Sequence, residues 1–264
     1  MSASVQLRTE GAVRIIINSN PLARNAITPQ LYEGLPQALQ EAAADPAIGA
    51  IVLAGDGEFF CAGGDLRQIA KRRELPAAER RANIEKLHAL TRAIRACPKP
   101  VIAAVEGGAA GAGVSLALAC DMLVAARGAF FTLAYVKVGL SPDGGASAFL
   151  AQCMPRQLMT ELCLSGDRLA AERLHALGAV NRLAEPGNAV AEAKALAAGF
   201  ANGPSRALAR IKQLCGHAHG ASVEEQLDLE AALMTASLGD TESAEGIAAF
   251  FDKRAAGFTA LRQD

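Results

Sequence analysis

Gly107-Gly108-Ala109-Ala110-Gly111-Ala112-Gly113-Val114-Ser115 is the stretch on which the reading of this chain turns. The apolar run Val101–Val105 precedes it and small apolar residues follow to Ala119, so the glycines sit where a strand gives way to a helix. The first N–H groups of a helix have no partner inside it and lie at the positive end of its dipole. Such a turn suits a negative charge that develops beside it. A dinucleotide site is the first rival, but the G-x-G-x-x-G order is absent. Close packing of a helix on a sheet is the second.

Upstream, Phe60-Cys61-Ala62-Gly63-Gly64-Asp65-Leu66 repeats the theme. Paired glycines open dihedrals closed to other residues and let a ligand approach the backbone, and Asp65 is placed to cap a following helix. Alone, it reads as a tight strand-to-helix turn.

Around these turns the pattern alternates. Residues 5–7 and 13–17 flank Glu10-Gly11 as a hairpin. Thr28 caps a helix to Ala44 with Leu31, Leu35, Ala38 and Leu39 on one face, and residues 48–53 form a strand ending by Gly55. Residues 81–97 are an amphipathic helix stopped at Pro98, residues 122–125 a strand, residues 157–177 helical, and residues 179–183 a last strand. Strand–helix–strand alternation predicts an α/β class with parallel pairing through right-handed crossovers. Beyond Pro186 everything reads as helix, over Ala189–Ala201 and residues 205–215, 223–237 and 241–254. The expected division is a core of residues 1–190 and a helical region of residues 191–264 that assembles subunits and covers the site.

With 264 residues, 51% of them hydrophobic and 20% charged, the chain has the balance of a globular protein with a sizeable core. A formal net charge of -1 gives no global field to recruit nucleic acid or an anionic membrane. No stretch approaches the roughly 20 apolar residues of a membrane span, and the first residues do not read as a signal peptide. The six cysteines form no CxxC pair and mostly lie in apolar runs, as free buried thiols do in a reducing compartment. Cytoplasm is the expected location.

Taken together, the two turns resemble the enoyl-CoA hydratase/isomerase (crotonase) superfamily. The likeness extends to Pro100-Val101-Ile102-Ala103-Ala104-Val105-Glu106-Gly107, Cys120-Asp121, Gly139-Leu140-Ser141-Pro142-Asp143-Gly144-Gly145, Asn20-Pro21 with Arg24-Asn25-Ala26, and the C-terminal Phe250-Phe251-Asp252-Lys253-Arg254. The resemblance implies a crotonase-like spiral of ββα units, a helical C-terminal region, and a homotrimer or dimer of trimers. It implies an acyl-CoA substrate, with no cofactor besides the coenzyme A that the substrate carries. By position it assigns the oxyanion hole to the main-chain N–H groups of Gly64 and Ala112. It assigns coenzyme A contacts to the backbone of residues 62–66, including Ala62, Gly64, Asp65 and Leu66, and phosphate charge to Arg24 and the Lys253/Arg254 pair. Pre-aligned donors of this kind need no reorganisation during reaction, and losing one costs about 10²–10³ in rate.

Hydratases of the family use two glutamates, and the matching positions here hold Ser115 and Tyr135. Asp143 is the carboxylate left nearby. It reads either as a helix N-cap or as a general base, and the resemblance to enoyl-CoA isomerases of the phenylacetate-pathway type favours the base. Hydration, hydrolysis or retro-Claisen cleavage by other groups, and a silent acyl-CoA-binding paralogue, are the competing readings. A dehalogenase-like nucleophilic aspartate ranks lower, since the chain has no Trp. Ser115 is expected to bond locally, Tyr135 to pack beside Val136 and Val138 in preference to positioning substrate, and residues 70–81 to wall the pocket. His217 and His219 lack the neighbours a metal needs, and no metal site is expected.

Overall fold

A computed structural model describes residues 3–263. Strands β1 (Ser4–Glu10) and β2 (Val13–Ser19) form the expected hairpin. Thr28 Oγ1 accepts the Leu31 N–H, and Pro29 opens α1 (Pro29–Ala44), which buries Leu31, Leu35, Ala38, Leu39 and Ala42. Strand β3 (Ala50–Gly55) follows, then α2 (Leu66–Arg72) and α3 (Ala77–Ala96). Strand β4 (Val101–Val105), the short β5 (Gly108–Ala110), α4 (Ala112–Ala119) and β6 (Met122–Ala126) come next. The chain continues through β7 (Phe130–Thr132), a 3-10 segment (Ala134–Val138), α5 (Ala146–Cys153), α6 (Arg156–Ser165), β8 (Arg168–Ala170), α7 (Ala171–Ala176) and β9 (Arg182–Ala184). Helices α8 (Ala189–Ala201), α9 (Ser205–His217), α10 (Val223–Leu238) and α11 (Thr241–Phe251) close it.

Six strands form one sheet in the order β1-β2-β3-β4-β6-β9, parallel from β2 onward. The inner strands β3 and β4 are buried almost throughout, as expected where helices cover both faces. Strands β5, β7 and β8 form a second, small sheet. This is the crotonase-type α/β architecture of ββα units with a helical end. Helix α8 lays Ala189, Ala193, Ala197 and Ala201 against the main sheet at zero to 1% exposure, small side chains that let the backbones approach closely. Helices α9 and α10 bury no residue completely.

The expected helix over residues 157–177 is not continuous. Gly166 ends α6 in the left-handed region at φ 62, and β8 then pairs antiparallel with β7 before α7 begins. The glycine turn of residues 107–113 likewise contains a strand: β5 pairs with β7 through Gly108↔Phe130 and Ala110↔Thr132. The last strand is shorter than the residues 179–183 expected, and α11 stops at Phe251.

Candidate active site

The two glycine turns are hydrogen-bonded into one body. Phe60 N–H donates to the Glu106 and Gly108 carbonyls at 3.1 and 3.2 Å, and Ala110 N–H donates to Cys61 O at 2.9 Å. On its other side the first turn is held by residues 24–27, through Ala62 N–H to Arg24 O at 2.9 Å and Ile27 N–H to Gly63 O at 2.8 Å. Asn25 fixes that segment in turn. It is fully buried, its Nδ2 donates to the Asp56 and Phe59 carbonyls at 2.9 and 2.6 Å, and its Oδ1 accepts the Asn20 N–H at 2.9 Å. No pinning role for Asn25 follows from the sequence; its tolerance of left-handed backbone, used here at φ 56, is the one signal.

Gly63 carries a close contact between the turns. At φ +83 it takes a conformation that suits glycine, and a Cβ there would lie 2.5 Å from Ala110 O and 3.0 Å from Ala112 N. Gly64 follows, with Ile69 of α2 leaning over it, so that a Cβ on Gly64 would stand 2.8 Å from Ile69 Cδ1. As the first residue of α4, Ala112 has an N–H with no intrahelical partner, and no side chain caps the helix. Among the described residues no protein acceptor takes the Gly64 N–H. The Cys61 thiol beneath the turn is pushed up to about 12 by burial and is inert at neutral pH.

Asp143 is joined to this body through α4. Ser115, fully buried one turn beyond Ala112, donates its hydroxyl to Asp143 O at 2.8 Å. Tyr135 Oη donates to Asp143 Oδ1 at 2.7 Å, and Thr91 Oγ1 of α3 donates to Gly144 O at 2.9 Å. Burial, then the Asp143 charge, push the Tyr135 phenol well above its ordinary range, so it stays protonated and can only donate to the carboxylate. Three readings need correction. Ser115 bonds across to a residue 28 positions away rather than locally. Tyr135 does more than pack: its ring meets the core and its hydroxyl is committed to Asp143, while Val136 and Val138 are 40% and 51% exposed. Asp143 also does not cap α5 with its side chain, since that helix has Gly145 as N-cap and no side-chain bond there.

The remaining candidates are distributed unevenly. Asp65 caps α2, Oδ1 accepting the Arg67 N–H at 2.9 Å, and Leu66 beside it is 57% exposed. Arg24 is exposed, with its guanidinium 5.9 Å from the Phe59 ring centroid. Arg24, Ala62, Gly64, Asp65 and Leu66 thus occupy one rim. Lys253 lies apart: it is exposed after the end of α11 at φ 53, and no hydrogen bond or ion pair among the described residues ties it to that rim. Lys71 and Arg72 line a cavity of about 530 Å³ with Tyr32, Asn83 and Lys86, behind α2. His217 ends α9 and meets Gln226 at 3.0 Å. Among the described residues no three metal-ligating side chains cluster, and no helix is long and apolar enough to cross a membrane.

A sequence profile described as Enoyl-CoA hydratase/isomerase matches residues 8–261. The chain belongs to the enoyl-CoA hydratase/isomerase family. Within that family it is similar to the 1,2-epoxyphenylacetyl-CoA isomerase of Escherichia coli K12, 34% identical over 251 residues, with 95% of each chain covered. It is also similar to the 2,3-dehydroadipyl-CoA hydratase of the same organism, 31% identical over 258 residues, covering 98% of this chain and 99% of that one. Among solved structures, an enoyl-CoA hydratase from Polaromonas sp. JS666 superposes with a TM-score of 0.92 at 46% identity, covering 96% of this chain and 98% of that one.

Proposed function

We propose that this family member moves a double bond within an enoyl-CoA thioester, with Asp143 carrying the proton. The Gly64 and Ala112 N–H groups hold the thioester oxygen as it becomes an enolate oxyanion. Asp143 removes a proton from the carbon next to the thioester, the charge spreads over the dienolate, and the same carboxyl returns the proton two carbons further along. No atom is gained or lost, and no cofactor is needed beyond the coenzyme A on the substrate. The observation that supports this reading is the way Asp143 is held by the two positions where the resemblance implies glutamates: Tyr135 donates to its carboxylate and Ser115 to its main-chain carbonyl. That leaves one carboxylate, enough for a proton shuttle and one short of the usual hydration pair.

The coenzyme A arm follows the rim of Ala62, Asp65 and Leu66, with Arg24 facing phosphate and Lys253 drawn in on assembly as a homotrimer or dimer of trimers in the cytoplasm. Hydratase names outnumber isomerase names among relatives such as those above, so hydration is the second reading. Incubation with a 3-enoyl-CoA and with crotonyl-CoA separates the two: migration of the double bond is expected, and water addition to crotonyl-CoA at a comparable rate would overturn the proposal. Asp143→Asn is expected to lower turnover by about 10²–10⁴-fold while acyl-CoA still binds.

A further inference from the structure

We infer that Tyr135 is a positioning residue that fixes which oxygen of Asp143 faces the substrate. The inference rests on the reading of Asp143 as the proton carrier.

The geometry carries it in three steps. First, a carboxylate has two oxygens, and a hydrogen bond to one of them selects the other for proton transfer. Tyr135 takes Oδ1 at 2.7 Å. Second, the residue's backbone is fixed independently. Ser115 of α4 holds the Asp143 carbonyl at 2.8 Å and Thr91 of α3 holds the next one at 2.9 Å, so the phenol alone decides the side-chain orientation. Third, Tyr135 is itself placed by the turn it serves. A Cβ on Gly111 would meet its Cζ at 3.7 Å and its hydroxyl at 3.9 Å, so the ring stands beside the start of α4, next to Ala112. The side chain that orients the proposed base thus stands against the turn that holds the proposed oxyanion donor.

Among the described residues, the elements packed around Asp143 offer its carboxylate no other side-chain partner. Ser115 of α4 takes the main-chain carbonyl, Leu87 and Thr91 of α3 face Gly144, and Phe149 of α5 faces Gly145, with the Arg95 guanidinium 5.9 Å from the Phe149 ring centroid. On α3, Glu85 bonds His88 and Arg92; Lys137 pairs with Asp167. Among the described residues no ion pair engages Asp143. With the phenol removed, nothing replaces it.

The test compares kcat and KM on a 3-enoyl-CoA for wild type, Tyr135→Phe and Asp143→Asn. Phenylalanine keeps the ring and its packing. Tyr135→Phe is expected to lower kcat by about tenfold, with KM and acyl-CoA affinity within twofold of wild type. A structural role for the ring alone would leave kcat where it was. The chain has only two tyrosines, so fluorotyrosine incorporated into a Tyr32→Phe background reports on Tyr135 alone without deleting the hydroxyl. The altered donor is expected to change kcat with KM unchanged, and this arm stands even if Tyr135→Phe folds poorly. An unchanged kcat in both arms, with Asp143→Asn inactive, overturns the positioning role and leaves the base. Full turnover by Asp143→Asn overturns the base and the inference with it.

Discussion

An alanine at Gly144 would put its Cβ 2.9 Å from Ser115 Cβ, 3.0 Å from Ser115 Oγ and 3.1 Å from Leu87 Cδ2, on a backbone at φ +65. Backbone strain and crowding then add, and Gly144→Ala is expected to lose about 2–4 kcal/mol of stability in urea titration. Gly57→Ala, at φ +73 with nothing within 4 Å, carries only the dihedral cost, about 1–2 kcal/mol. Equal losses at the two sites would show that Ser115 and Leu87 yield freely. At this scale the sequence was legible unevenly. The glycines and Asp143 could be singled out from their neighbours in the chain. The hydroxyls of Ser115 and Tyr135 could not be assigned partners, because both bonds reach residues on other elements. A side chain with both apolar and polar character, such as tyrosine, leaves no pattern that says which of the two is in use.

Elements with a full period of apolar residues, such as β2, β4, α1 and α3, could be read directly. The three-residue strands β5, β7 and β8 could not, since each is shorter than two repeats of the alternation and is fixed by its neighbours in the small sheet. Two predictions belong to elements. Helix α9 is tied to the core by Lys212, whose Nζ lies 2.8 Å from Asp121 Oδ2 and also reaches the Ile94 and Lys99 carbonyls; both members of the pair are largely buried, at 12% and 18% side-chain exposure. Lys212→Met strands a buried carboxyl whose proton affinity burial already raises, and is expected to cost about 3–5 kcal/mol in urea titration, with the second change Asp121→Asn restoring part of it. Helix α11 is clipped to the chain after it by Glu245, which accepts from Arg254 at 2.7 and 2.9 Å and from Gly257 N–H at 2.7 Å. The Arg254 bonds hold Glu245 down to about 2 from an ordinary value of 4.5. Its folded-state value is depressed, so its contribution is complete above 4.5 and fades as pH falls toward 2. Amide exchange in residues 252–258 is expected to accelerate over that window, and Glu245→Gln to make the exchange insensitive to pH there once intrinsic rates are divided out.

The whole molecule presents an apolar tail to its surroundings. Ile211, Val223, Met234, Leu238, Phe250 and Phe251 are 54–79% exposed on α9 to α11, which a single copy of the chain leaves wet. The paired change Phe250→Asp with Phe251→Asp is expected to lower the mass found by light scattering to that of one chain, 27.2 kDa, if these rings seat against a second copy; an unchanged mass would remove α11 from the interface. The division between the two halves of the site has its own outcome. Seven residues of α4 are buried, among them Ala112 and Ser115, whereas α2 buries none. A helix walled in on every side admits no larger side chain without moving the sheet beneath it. Diversification of acyl preference in descendants of this chain must therefore be written on the α2 side of the cleft, with α4 inherited nearly letter for letter.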